Sequence, residues 1–367
     1  MRVVSWNVNS LRTTALELER VYGSMLGFLN FLKADILCFQ ETKIGEDKLE
    51  KALARPDGIE PFWSFCKLRG GYSGVATFAR QGLTWASCSK LMEEEEFDNE
   101  GRVVATDHGD FYVVNVYIPN GGDRDNGRPR LDYKLRFLSC LLDKLKQLKD
   151  GSIVISQSGE IERCSEEGVE KKGKPIVFCG DMNIALSPKD VYMLTSDPYF
   201  SYSREEIQWM KSVINELGMV DSHRCFFPIP SCSGLVDGRE PPSLAGDNFL
   251  KYSSLVPPIP SSFDTPPQES QFTTASKWAG VEEGRCLNKP DMQDGEGEGF
   301  NRCFCCVKQI WLDKDKLALN GRRYTCWDTR TEARSRNEGV RIDYVFVSRS
   351  LPLAMAGVLD TRRAWGD

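Results

Sequence analysis

The sequence predicts an α/β protein, and three observations predict it. Short apolar runs rich in β-branched and aromatic residues recur along the chain, among them Asp35-Ile-Leu-Cys-Phe39, Phe111-Tyr-Val-Val114 and Ile176-Val-Phe-Cys179. Segments with apolar residues at helical spacing lie between them. A chain of 367 residues with 41% hydrophobic content can bury a large core, as one big α/β domain or two smaller ones.

Taken in order, Arg2-Val-Val-Ser-Trp6 is the first strand, and Ser10 to Thr14 turn into a helix with Met25, Leu26, Leu29 and Leu32 as its apolar stripe. Asp35 to Phe39 is the second strand. Phe62 to Phe65 is another, followed by a tight Gly70–Gly74 turn into Val75-Ala-Thr-Phe78. Glu93 to Glu96 reads as a solvated loop. Val103-Val-Ala105 and Phe111–Val114 flank a hairpin connection at Asp107–Asp110. Leu131 to Leu148 is an amphipathic helix with Leu131, Leu135, Leu138, Leu142 and Leu145 on one face. Lys149 to Lys174 is a polar excursion. Ser203 with Glu206 forms a capping box for a helix carrying Ile207, Met210, Ile214 and Leu217 and stopped by Gly218.

Residues 228–320 shift to Pro, Ser, Gly and mixed charge and read as a flexible insertion in a core made of 1–227 and 321–367. Cys232, Cys286, Cys303, Cys305 and Cys306 lie in it without paired zinc-ligand spacing, so they read as plain thiols. Patterning resumes at Arg323–Trp327, and Arg341-Ile-Asp-Tyr-Val-Phe346 is a strand with Asp343 in its interior. Thirteen cysteines and a first strand at Arg2 predict reduced thiols and no leader. No apolar stretch approaches the roughly 20 residues of a membrane span. A net charge of −6 argues against nucleic-acid binding by bulk charge, but not against a basic rim around an acidic, metal-binding centre.

Five of the strands carry polar residues at an end or inside. The first delivers Asn7 and Asn9, the second Gln40 and Glu41, and the Phe111 run Asn115, Tyr117 and Asn120. Gly180 ends the Ile176 run, letting the backbone approach a neighbour, and Asp181 and Asn183 follow; Asp343 belongs to the fifth strand. Together they make a polar site at one end of a sheet, where catalytic groups of α/β proteins sit.

These strand ends, in this order, resemble the exonuclease III-type (class II) AP endonucleases of the endonuclease/exonuclease/phosphatase superfamily. The matching stretches are Ser5–Asn9, Gln40–Lys43, Gly71–Phe78, Asn115–Asn120, Gly180–Asn183, Asp221–Arg224 and Ala333–Phe346. Tyr324–Trp327, with Cys326 where other branches place an aromatic residue, is most similar to the AP endonuclease 2 branch. The resemblance implies a four-layer α/β sandwich, two packed mixed sheets flanked by helices. It implies Mg²⁺-dependent (Mn²⁺ as substitute) hydrolysis of the phosphodiester 5′ to abasic sites in double-stranded DNA, and 3′–5′ exonuclease and 3′-phosphodiesterase action on blocked 3′ ends. A nuclear monomer is expected, without membrane contact.

By position, Glu41 resembles the principal metal carboxylate, with Asn7 supporting it. Tyr117, Asp181 and Asn183 would face the scissile phosphate, and Asp343 resembles the residue that orients a catalytic histidine. Arg12, Lys43, Arg102, Asn120 and Arg130 would grip DNA, and Cys326, Val340 and Ile342 would line the abasic-sugar pocket. The residue types suit the chemistry. Mg²⁺ takes hard oxygen ligands and few carboxylates, and Asp181 can hold and deprotonate a water. A tyrosine hydroxyl can donate to a phosphate oxygen.

The family's Ser-Asp-His triplet has no counterpart before Trp365-Gly-Asp367, and neither His108 nor His223 fits its place. The expectation is a truncated chain that lacks its last strand and is weakened in activity. Restoring the triplet should then raise turnover by several orders of magnitude. The branch's sliding-clamp contact and zinc module are expected only with the missing C-terminal region. A phosphatase or deadenylase of the same fold and a catalytically impaired DNA-binding form remain the alternatives.

Overall fold

The computed structural model describes residues 1–122, 127–164, 173–187, 190–191, 202–226, 281–282, 285–286, 324–327 and 339–357. In chain order these form β1 (Val3–Asn7), α1 (Leu11–Tyr22), α2 (Met25–Leu32), β2 (Ile36–Gln40), α3 (Lys51–Ala54), β3 (Ile59–Ser64), β4 (Val75–Arg80) and β5 (Ala86–Cys88). There follow α4 (Glu95–Asp98), β6 (Val103–Asp107), β7 (Tyr112–Tyr117), α5 (Leu131–Asp150), β8 (Ile153–Ile155), β9 (Ile161–Arg163), β10 (Ile176–Asp181) and α6 (Arg204–Asn215). The last are β11 (Met219–Asp221), α7 (Ser222–Phe226), β12 (Val281–Glu282), β13 (Arg285–Cys286), β14 (Cys326–Trp327), β15 (Gly339–Val340) and β16 (Asp343–Ser348).

The chain divides into two compact units: Met1–Phe227 with Arg322–Gly357 and Asp367, and Pro228–Gly321 with Val358–Gly366. In the second, the described residues are the antiparallel pair β12–β13. Its remaining cysteines and Pro-rich stretches lie outside the described residues.

The first unit holds two mixed sheets, one ordered β1-β2-β4-β3 and one ordered β11-β16-β10-β7-β6-β5. β1 runs parallel to β2, and β7 parallel to β10; their other neighbours in each sheet are antiparallel. Successive strand residues face opposite sides, and the sheets exploit this. Ile36, Cys38, Val113, Val177, Cys179 and Val347 form a buried layer between the sheets. Phe178, Phe346, Val114 and Val116 face the other way, onto Phe137, Leu138, Leu141, Trp209 and Met210 of α5 and α6. On the far side of the first sheet, Trp6 meets Phe28 of α2 at 6.0 Å and Phe39 at 6.2 Å. The result is helix, sheet, sheet, helix.

Several local expectations are corrected. The helix expected after Ser10 is two, because Gly23 takes φ 77 as a left-handed cap and Ser24 then caps α2 through the Gly27 amide at 2.9 Å. In α5 the buried stripe is Phe137, Leu138, Leu141, Leu145 and Leu148, with Lys134 and Lys144 on it; Leu135 and Leu142 flank it, half-buried. The acidic run includes α4, and Glu93 binds Arg163 at 2.6 Å as well as Lys144. Asp343 opens its strand instead of lying inside it. The capping box at Ser203 and Glu206 forms at α6. Among the described residues no helix is long and apolar enough to cross a membrane.

Candidate functional site

The site is the end of the layer between the sheets. On β10 the inward-facing residues are Val177, Cys179 and then Asp181, on β7 Val113, Asn115 and then Tyr117, and on β16 Val347, Val345 and then Asp343. Tyr117, Asp181 and Asp343 pair directly across the ladder, so the three stand in one row. The facing sheet changes character along the same line. Its inner residues run from Ile36 and Cys38 to Gln40, while Asn7 sits across from Gln40 on β1. One step inside the row, Gln40 Nε2 donates to Asn115 Oδ1 at 2.7 Å and Asn115 Nδ2 donates to Ala76 O at 3.0 Å. The packing thus passes from apolar, through a buried amide bridge, to the polar row.

Asn7 joins the two sheets. Its Nδ2 donates to Glu41 Oε1 at 2.9 Å and to Asp181 Oδ2 at 2.9 Å. Asp181 Oδ1 accepts the Asn183 backbone N–H at 2.7 Å, and Asn183 Nδ2 donates to Ile118 O at 2.9 Å. Asn183 holds φ 46, a left-handed conformation that asparagine tolerates. The approach that Gly180 permits is to β7: at φ 138, an added Cβ would fall on the Val116 carbonyl.

The Glu41 loop is fixed from the Ser73–Gly74 turn. Thr42 N donates to Gly74 O at 3.0 Å and Lys43 N to Ser73 O at 2.9 Å. Lys43 Nζ lies 3.1 Å from Glu41 Oε2 and also bonds Asn9 Oδ1. This accounts for the sequence Gly71-Tyr-Ser-Gly74: its Ser73 and Gly74 carbonyls hold the chain just after Glu41.

The electrostatics of the centre turn on one buried carboxylate beside partly exposed charges. Asp181 is 4% exposed, and burial pushes its carboxyl up to about 6, against the Asn183 and Asn7 hydrogen bonds and with the Glu41 charge adding to the rise. Burial, with the charges of Glu41 and Asp181, raises the Tyr117 phenol well above its ordinary value. Among the described residues no three His, Cys, Asp or Glu side chains form a metal cage.

Of the residues expected to grip DNA, Lys43 lies at this centre, whereas Arg102 does not reach solvent. Arg102 is 1% exposed, lies 4.9 Å over the Tyr117 ring and 5.4 Å over Tyr72, and donates to the Tyr117 carbonyl at 3.1 Å and the Tyr72 hydroxyl at 2.8 Å. It orders Tyr117 and offers DNA no surface. Arg130 shares Glu100 with Arg102, binding it at 2.6 Å, and stacks 4.6 Å from Tyr133. Asn120 is exposed and closes its own turn through the Gly122 amide at 2.9 Å. Arg12 is 47% exposed and pairs with Glu50 at 2.7 Å.

Cys326 pairs across strands with Val340; Cys326 is exposed and Val340 half-buried. Ile342 is buried and its carbonyl accepts the Met182 amide at 2.8 Å, which ties that strand to the Asp181 turn. His108 is remote from this chemistry: it is buried between Thr106 Oγ1 at 2.8 Å and Leu83 O at 2.9 Å.

Two buried ionic groups escaped the sequence reading. Arg341 binds Asp190 at 2.9 Å and Asp221 at 2.6 Å and lies 4.3 Å over Tyr344, fixing the chain just before Asp343. Lys134 binds Glu206 at 2.6 Å and the Asn183 carbonyl at 2.9 Å. The signal for the second was present: Lys134 occupies the helical register of Leu138 and Leu141, where an unpaired lysine is costly.

A family model described as Endonuclease/Exonuclease/phosphatase family matches residues 4–364. The DNA-(apurinic or apyrimidinic site) endonuclease 2 of Xenopus laevis is 26% identical over 96% of this chain and 54% of its own length. The human protein of that name is 29% identical over 62% of this chain and 48% of its own. The Exodeoxyribonuclease of Bacillus subtilis is 28% identical over 62% of this chain and 76% of its own. The chain therefore spans about half the length of the two endonuclease 2 relatives. Among solved structures, the Xenopus laevis APE2 catalytic domain superposes with a TM-score of 0.55 at 22% identity, covering 96% of this chain and 83% of that one, a likeness of fold. With that match across nearly its whole length, and with the sandwich and strand-end row to carry it, the chain belongs to the endonuclease/exonuclease/phosphatase family.

Proposed function

We propose that this protein is a DNA-repair nuclease that hydrolyses the phosphodiester 5′ to abasic sites and removes nucleotides or blocking groups from 3′ ends. The observation that carries this reading is the Asn7 amide, 2.9 Å from a carboxylate oxygen of both Glu41 and Asp181 and so joining the ends of the two sheets. The names of the relatives, endonuclease 2 at apurinic or apyrimidinic sites and exodeoxyribonuclease, support the substrate class.

The residues fit a divalent cation. Two carboxylates stand together, and burial, with the Glu41 charge adding to it, pushes the Asp181 carboxyl up to about 6, a rise that a cation would oppose. The donors are oxygens, as Mg²⁺ or Mn²⁺ requires. Glu41 and Asn7 would hold the ion, which when bound supplies charge neutralisation at the phosphate oxygens and leaving group.

The chain's own groups do the rest. Asp181, with its carboxyl near 6, takes a proton from the attacking water at neutral pH. Asn183 spends one amide hydrogen on Ile118 O at 2.9 Å and keeps the second for a phosphate oxygen. Tyr117, ordered by the Arg102 stack, presents its hydroxyl on the same side as Asp181. Asp343 stands across the ladder from Asp181 as the third member of the row. Lys43 and Arg12 supply positive charge at the rim for the DNA backbone.

A substrate panel tests the reading: a duplex with one abasic-site analogue, a duplex with a blocked 3′ end, poly(A) and an inositol phosphate, each with Mg²⁺. Preferred turnover of the two DNA substrates is the expected result. Preferred release of phosphate from the inositol compound, or of AMP from poly(A), would overturn it.

A further inference from the structure

Lys134 is a full positive charge placed where the core of α5 should be apolar. It is 1% exposed, and so is Glu206, its partner from α6. Burying two ions costs more than packing two apolar side chains of the same size, so holding two helices together does not account for them. One further bond of the pair runs to the site, and the others hold Glu206. Lys134 Nζ donates to the Asn183 carbonyl at 2.9 Å. Glu206 Oε2 accepts Arg128 at 2.6 Å and the Ser203 amide at 2.6 Å, which fixes the carboxylate that fixes the lysine.

The Asn183 turn needs such a hold. It is left-handed at φ 46, its backbone N–H is bound to Asp181 Oδ1 at 2.7 Å, and its side chain is bound to Ile118 O. Without the lysine, its carbonyl would lose that donor. We infer that Lys134, held in place by Glu206, is a positioning residue that sets the Asp181–Asn183 turn from behind. This rests on the reading of Asp181 and Asn183 as the groups that act on the phosphodiester.

The test uses Lys134→Met, Lys134→Arg and the double variant Lys134→Met/Glu206→Met. Each is measured for urea stability, kcat and KM on the abasic-analogue duplex, and hydrogen exchange of the Asn183 amide. Lys134→Met should lose about 100-fold in kcat with KM within about threefold, the expected effect of misplacing reacting groups by about an ångström. Lys134→Arg should recover most of kcat. The double variant removes both charges of the pair but also the Ser203 cap and the Arg128 partner. It should therefore recover part of the stability lost in Lys134→Met and none of the kcat, which separates positioning from packing. The Asn183 amide should exchange at least about tenfold faster in both Met variants, as local opening of the turn requires. An unchanged exchange rate overturns the inference whether or not the wild type cleaves DNA. Wild-type kcat in either Met variant overturns it equally. Faster exchange in a protein inactive on every DNA substrate would keep the positioning role and reject the nuclease reading.

Discussion

Asn7 and Asp181 lie 174 positions apart, on strands of different sheets, and one 2.9 Å hydrogen bond joins them. The same amide reaches Glu41, so a neutral side chain separates two carboxylates that would otherwise repel each other. Losing it should raise the proton affinity of Asp181 further. In the metal-free protein the Asp181 carboxyl should therefore ionise through about pH 6 in the wild type, and at higher pH in Asn7→Ala. An NMR titration of the Asp181 side-chain carboxyl carbon in both metal-free proteins checks this, with an unshifted midpoint in Asn7→Ala as the contrary result.

The same raised carboxyl bears on folding with the opposite sign. Asp181 takes up a proton at about 6 in the folded chain against 3.8 in the unfolded one. Its contribution to stability is therefore full below the lower value and lost as pH rises through the upper one. The stability difference between wild type and Asp181→Ala, from metal-free urea titrations, should shift against the wild type on going from pH 4.5 to 7.5, by up to about 2 kcal/mol.

Gly180 has no room for a side chain. At φ 138, with the Val116 carbonyl where Cβ would lie, Gly180→Ala should combine backbone strain with overpacking and lose about 3 kcal/mol or more. Chemical denaturation reads the loss, and a change under about 0.5 kcal/mol would mean that β7 and β10 are not held as described.

Arg102 and Arg12 separate burial from surface charge. Arg102 is enclosed by Tyr72, Tyr117 and Glu100, whereas Arg12 is half-exposed. Arg12→Ala should lower the slope of log Kd for DNA against log salt by about one, while Arg102→Lys leaves the slope unchanged and slows turnover by disturbing Tyr117. Salt titrations of binding to a duplex carrying an abasic analogue distinguish the two.

Much of this was legible in the residues. Alternation along Ile176–Asp181 and Phe111–Tyr117 carries both the strands and the face that Asp181 and Tyr117 share, because the pleat has period two. Gly180 announced a close approach, though only the fold shows that β7 makes it. The start of β16 was misjudged because Arg341-Ile342 continue the apolar-looking run; their main chain instead bonds Asp190 and Met182, which ends the ladder at Asp343. Arg102 was placed among the DNA-gripping residues by the resemblance, and nothing nearby in the sequence signals its burial, because its two tyrosine partners lie 30 and 15 positions away. Lys134 was hidden because the expected stripe of Leu131, Leu135, Leu138, Leu142 and Leu145 left out Phe137, Leu141 and Leu148, which put Lys134 at the edge of the face instead of on it.

In the proposed function, Glu41, Asn7 and Asp181 form a metal-assisted hydrolytic centre. Incision of a labelled duplex carrying one abasic-site analogue, by wild type and Asp181→Ala, with Mg²⁺ and with EDTA, tests it most directly. The account predicts incision that requires Mg²⁺ and falls by at least about 100-fold in the variant, while the variant still binds the duplex. Incision that persists in EDTA, or that Asp181→Ala retains in full, would contradict it.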